Sequence, residues 1–170
     1  MALEISEDVK GAIYQAWLPA LMTTLLQEID GLPSEHRENL LTKMCTTCED
    51  LAMIGAVGIQ PGMSWDDYVK FLKEVPAPVG PWAVQQKGDV FDLVYDCSIG
   101  DDGKPQCHCP LVQLGIMGPN PFCCDSGARL AGRMMAGATG KSIAKTEVID
   151  SASRTGAHIC HYRVHLKQQD

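Results

Sequence analysis

Aromatic side chains make up only 6% of this 170-residue chain, and its 14 Lys and Arg are outnumbered by 21 Asp and Glu. So few rings leave little material for a base-stacking surface, and a net charge of −7 repels phosphate backbones and anionic headgroups. Nucleic acid and membrane are therefore excluded as main partners. A long apolar run is missing too. The longest uncharged stretch, Pro105 to Cys124, is broken by Pro110, Pro119, Pro121, Gly115 and Gly118, which prevents one membrane-spanning helix. The opening MALEISEDVKGAIYQAWL has acids where a secretory leader has bases, and no apolar stretch or cleavage site. These absences predict a cytoplasmic protein. There is also no repeat, no low-complexity tract and no periodic Gly or Pro, and the hydrophobic fraction is an ordinary 45%.

Eight cysteines are what the chain has in excess. In a reducing cytosol they read as ligands, reactive thiols or small buried hydrophobes; in a secreted chain four bridges would be the default. The length fits one compact domain, in which a helical segment, residues 1–80, joins a Cys-rich α+β portion, residues 81–170.

The first half has helical periodicity. After Ser6, a fitting N-cap, apolar residues recur at Val9, Ile13, Ala16, Trp17, Ala20, Leu21, Leu25 and Ile29, which predicts a buried stripe. Pro19 should kink this helix, and Gly31 with Pro33 should end it. A second helix starts near Ser34 with Leu40, Leu41, Met44, Cys45, Cys48, Leu51 and Ala52 on one face. A third starts at Ser64, with Asp67 as capping partner and Trp65, Tyr68, Val69 and Leu72 inward. Val75 to Pro81 is a stiff connector.

Beyond it the period becomes two. Phe91, Leu93, Tyr95 and Cys97 alternate with Asp92, Val94 and Asp96, predicting a strand with one core face, and Gly100 to Gly103 is a turn. A helix is expected after Asp125, through Arg129, Leu130, Met134 and Met135, ending around Gly137 to Gly140. Two final strands span about 142–150 and 156–167 around a Ser151–Gly156 turn. His158, Cys160, Tyr162, Val164 and Leu166 share one face of the last strand, and His161, Arg163 and His165 the other. The expected class is α+β, with N-terminal helices packed against an antiparallel sheet and one further helix.

The cysteines sort by context. Cys45 and Cys48 form a C-x-x-C, but both lie on the helical stripe without the turn residues of a zinc knuckle, so burial in helix packing is favoured. Cys107-His108-Cys109-Pro110 is more specific, because a C-x-C in extended chain points both sulfurs to one side. Cys123 and Cys124 precede the predicted helix, where the helix dipole favours thiolate. Adjacent cysteines rarely ligate one small ion together, so one of the two is expected, with Cys124 preferred. Cys107, Cys109, Cys124 and Cys160 are expected to converge on one soft-metal or cluster site, with Cys97 and Cys123 in reserve. Thiolates select zinc or an iron–sulfur cluster. His158 shares the face of Cys160, though a lone histidine there is more often hydrogen-bonded than ligating. The run Gly137 to Ser142 looks like the end of a phosphate loop, but its first glycine position holds Met135 and a helix precedes it, so nucleotide binding is rejected.

The Phe91-to-Cys97 run, Cys124-Asp125 before a helix, and Arg154-Thr155-Gly156 through Cys160 resemble the L-2-amino-thiazoline-4-carboxylic acid hydrolase-like family. They are more distantly similar to the 4-vinyl reductase-type small-molecule-binding domain. The resemblance spans about residues 88–167 and implies an α+β domain in which Cys97, Cys124 and Cys160 share a site. Cys107, Cys109 and the doubled Cys123 are the departures, and they favour a metal. Two functions follow as expectations. One is hydrolysis of a C–N or C–S bond in a small acid, with metal-activated water or Cys124 as nucleophile and Arg129, Arg133 or Arg154 holding a carboxylate. The other is a metal- or iron–sulfur-containing sensor, carrier or redox protein that binds a small molecule without hydrolysing it. A homo-oligomer is expected from Gly127, Ala131 and Gly132, which permit close helix approach.

Overall fold

The computed structural model describes residues 6–48, 59–75, 80–81, 83–97 and 99–168. The side chain of Cys48, together with Leu51, Ala52 and most of the Val75–Pro81 connector, lies outside them.

The N-terminal helix is a composite. Helix α1, Glu7–Ala12, is capped by Ser6, whose Oγ accepts from the Val9 amide. It runs through a π-helical segment, Ile13–Trp17, into α2, Leu18–Asp30. The Leu18 N–H reaches the Ile13 carbonyl, one residue farther back than in an α-turn. This wide turn lies directly ahead of Pro19, whose ring would otherwise meet the carbonyl four residues back. It also corrects the predicted stripe. Val9, Trp17, Leu21 and Leu25 are exposed, and the helix instead buries Leu26, with Met22 and Ile29 beside it. A π turn rotates everything that follows it relative to what came before, so the apolar spacing did not mark one inward face.

Helix α3, Ser34–Cys48, buries Leu41 and Cys45. Helix α4, Trp65–Glu74, is capped by Ser64 through the Asp67 amide and turns Tyr68 and Leu72 inward, as the sequence predicts. Four strands then build one antiparallel sheet: β1 Ala83–Lys87, β2 Val90–Asp96, β3 Ile143–Asp150 and β4 Ile159–Leu166, in the order β1-β2-β4-β3. Strand β1, polar and short, has no alternation to announce it.

The short α5, Pro110–Gln113, precedes α6, Pro121–Thr139, which lies along the sheet. Helix α6 starts earlier than predicted. Asn120 is its N-cap, accepting from the Phe122 amide at 2.7 Å, and Pro121 takes the first helical position, where no N–H is needed. Cys123 and Cys124 are therefore inside the first turns. Gly140, at φ 69°, closes the other end. The Ser151–Gly156 turn contains one helical turn, α7, Ala152–Thr155.

The protein is thus α+β, with helices first and a sheet covered on one face by α6. Phe91, Leu93, Val164, Met135 and Tyr68 form the principal core between them. The small residues of α6 serve this packing: a Cβ on Gly127 would stand 2.8 Å from Tyr162 Oη, and one on Gly132 would stand 2.6 Å from Thr146 Cγ2. Gly127 and Gly132 thus fit the helix to its own sheet. On the opposite sheet face Asp92 accepts from Arg163 and pairs with His161, and Glu147 pairs with His165. Among the described residues no helix is long and apolar enough to cross a membrane.

Candidate thiol site

Four cysteines from four chain segments meet where the sheet ends against the start of α6. Strand pairing supplies two of them. Tyr95 stands opposite Cys160 in the β2–β4 ladder, and the Cys97 amide extends that ladder to the His158 carbonyl at 3.0 Å. Cys97 and Cys160 thus share the inner face, with their sulfurs 3.5 Å apart. The fourth residue of α6 contributes Cys124, and the loop after β2 returns Cys107, which hydrogen-bonds to the sulfurs of both Cys124 and Cys160. All four are shielded from water, with 4%, 3%, 2% and 0% exposure for Cys97, Cys107, Cys124 and Cys160.

The hydrogen bonds set which sulfurs carry charge. Cys107, whose single S–H lies within reach of the Cys124 sulfur and of the Cys160 sulfur, is held firmly in the thiol form. Its S–H is the largest influence that lowers Cys124, to about 6, against the cost of burial; the hydroxyls of Ser151 and Ser153 assist. Ser153 Oγ lies 2.7 Å from the Cys124 sulfur. The same Cys107 S–H lowers Cys160, to about 5, helped by the backbone amides of Ala152 and His108 and by the Cys97 S–H. Burial, then the neighbouring Cys160, pushes Cys97 up to about 12. The arrangement draws Cys124 and Cys160 toward thiolate and holds Cys107 and Cys97 toward thiol, with all four sulfurs buried.

Aromatic rings pack beside the four cysteines. Tyr95 packs against His108 at 4.3 Å and Tyr162 at 5.5 Å between ring centroids. Burial first, and then the charge of Cys160, raises both tyrosines well above the usual phenol range, so they stay neutral. Beside Cys124, Asp125 accepts from Arg37 at 2.7 Å and also pairs with Arg154, tying α3 and α7 to the first turns of α6.

The predicted set is therefore brought together in part. Cys107, Cys124 and Cys160 converge, and the reserve residue Cys97 joins them. Cys109 lies within electrostatic reach of Cys124 and Cys160 but makes its sulfur hydrogen bonds elsewhere. The chain bends into α5 directly after Cys109, whose sulfur takes the amides of Leu111 and Val112, while the side chain packs in a second apolar cluster with Leu26, Leu41, Met117 and Phe122. Cys123 packs there too, because one residue along a helix turns it away from Cys124. His158 is exposed and lends only its carbonyl. Arg129 and Arg154 are engaged by Glu38 and Asp125. Cys45 is buried between α3 and α6, with its sulfur 3.5 Å from the Ser126 carbonyl.

Sequence reasoning missed Ser151 and Ser153. Their signal is a Ser-x-Ser just ahead of the strand that carries Cys160, in which Ser151 caps α7 and is fully buried. Among the described residues, no three His, Cys, Asp or Glu side chains stand as a ready-made ligand set for a metal ion. The four thiols are instead hydrogen-bonded to one another. Two surface clefts, one along α3 from Leu32 to Lys43 and one around Lys141 and Leu166, are lined by no cysteine. Comparison with protein-family models, with curated proteins and with solved structures finds no match to this chain.

Proposed function

We propose that Cys97, Cys107, Cys124 and Cys160 form a closed soft-metal site, with zinc as its ion, in a binding or sensing domain without hydrolytic turnover. The observation that carries this reading is the Cys107 thiol set between the sulfurs of Cys124 and Cys160, both of which favour thiolate. Two adjacent buried thiolates repel each other, and a shared proton offsets that repulsion only weakly. A divalent soft cation offsets it fully, and thiolate is the form it binds.

The spacing is compatible. A tetrahedral ion with sulfurs at about 2.3 Å sets them about 3.8 Å apart. Cys97 and Cys160, at 3.5 Å, stand close to that separation. An iron–sulfur cluster would need more room, because sulfide and several irons must fit between the ligands. Hydrolysis, the activity implied by the family resemblance, would require a substrate to reach Cys124, which is 2% exposed. Closed four-thiolate shells are the structural kind of zinc site, whereas catalytic ones keep a position open.

The test is elemental analysis with an absorption spectrum on protein purified without oxygen. One zinc per chain is expected, with loss of at least about tenfold in zinc content in Cys107→Ser and in Cys160→Ser. A brown protein containing iron would assign the same thiols to a cluster. Wild-type protein that holds no metal and takes up neither zinc nor iron on titration would overturn the site.

A further inference from the structure

From Gly11 to Gln27 the N-terminal helix has no charged side chain. A helix that faces water elsewhere in this protein is charged: α4 has Asp66, Asp67, Lys70, Lys73 and Glu74 within its 10 residues. The side of α2 that meets the body is formed by Met22, Leu26 and Ile29. Tyr14, Trp17, Leu21 and Leu25, three or four residues apart, stand outside it and are exposed, the two rings at 66% and 62%. With about 150–250 Å² per aromatic side chain, these four and Val9 leave on the order of 500 Å² of apolar surface in water. That equals the largest apolar patch of a typical monomer, and patches of this size mark interaction sites.

We infer that this strip is the interface of a dimer, in which a second copy of the chain lies antiparallel along it. The charges at its ends make the choice. Lys10 and Glu28 bound the neutral stretch and are equidistant from Pro19, as are Trp17 and Leu21. A two-fold axis at Pro19 sets each Lys10 beside the partner's Glu28 and each Trp17 against the partner's Leu21, so the strip is complementary to itself. Lys10 is half-exposed, and its pairing with the exposed Glu7 of its own chain leaves it within reach. Asp30, farther along, is engaged by Arg37 and Asn120. Two chains of net charge −7 repel, so an uncharged strip is where they can approach. A membrane surface fits poorly, because Glu7, Asp8, Glu28 and Asp30 flank the strip where an interfacial helix carries Lys and Arg. With the exposed Ala12, Ala16 and Ala20 alongside, the contact comes near the ~800 Å² per partner of a standard interface.

Sedimentation equilibrium of the full-length chain tests the interface, with co-sedimentation on anionic phospholipid vesicles as a second arm. The wild type should be a dimer at tens of micromolar and dissociate on dilution. Trp17→Glu, at an exposed position, should be monomeric over the same range with unchanged circular dichroism. Lys10→Glu should weaken dimerisation about fivefold, and adding Glu28→Lys should restore it, because the two end pairs re-form with their signs exchanged. The inference is overturned if the wild type is monomeric at these concentrations, or if Trp17→Glu dimerises as tightly as the wild type. It is overturned too if the double variant stays as weak as Lys10→Glu, or if the chain co-sediments with the vesicles as a monomer.

Discussion

The sheet with α6 buries its apolar side chains, whereas the N-terminal arm, α1 through α2, leaves most of its own in water. Phe91 and Val164 are 0% exposed, against 66% for Tyr14 and 62% for Trp17. The two regions differ in how sequence spacing becomes a face. A strand alternates strictly, so Phe91, Leu93 and Cys97 stay on one side whatever the loops do. A helix keeps its face only while its winding is uninterrupted. The π turn ahead of Pro19 interrupts it, and Leu26 becomes the buried position, with Met22 and Ile29 partly buried beside it.

The largest test of this contrast is truncation of a ring in each region. Phe91→Ala should cost about 3–5 kcal/mol in chemical denaturation, through lost burial and the cavity left behind. Next comes the fit of α6 to the sheet. Gly132→Ala, whose Cβ would press on Thr146 at 2.6 Å, should cost about 1–3 kcal/mol, measured in the same way.

A smaller effect belongs to the outer sheet face, where hydrogen bonds from Arg163 and then His161 hold the Asp92 carboxyl below its ordinary 3.8. A depressed carboxylate stabilises the fold above its ordinary value, and that contribution disappears as pH falls through the folded value. Asp92→Asn should therefore destabilise by about 1 kcal/mol at neutral pH, a modest figure because the group is partly solvated. The gap between variant and wild type should close below pH 3.8 in urea titrations at a series of pH values. In the arm the signs change. Gly11→Ala, with nothing within 4 Å of the new Cβ, should stabilise by about 0.5–1 kcal/mol. On protein dilute enough to be monomeric, Trp17→Ala should shift stability by no more than about 0.5 kcal/mol, and a cost comparable to that of Phe91→Ala would show that the arm is buried within its own chain.

Much of the fold was legible where local rules act alone. Ser6, Ser64 and Gly140 sit at the helix ends assigned to them or within a residue or two, because capping involves only near neighbours. The faces of β2 and β4 followed from alternation. Strand β1 was not legible, since Gln85, Gln86 and Lys87 are placed there by pairing with β2 and not by any pattern of their own. Helix α6 starts several residues ahead of the expected position, because Asn120 caps it and Pro121 is favourable at the first helical position.

The thiol site divides in the same way. The sequence by itself determined that Cys97 and Cys160 lie on the core faces of two strands and that Cys124 stands near a helix start, since each statement depends on a few neighbouring residues. Only the tertiary structure decided which sulfurs meet. Pairing of β2 with β4 brings Cys97 to Cys160 across 63 residues of chain. The bend into α5 separates Cys109 from Cys107, and one step along α6 separates Cys123 from Cys124. Sulfur contacts of a few ångströms depend on strand register and on the rotation of a helix about its axis, and both are fixed by packing among elements distant in the chain.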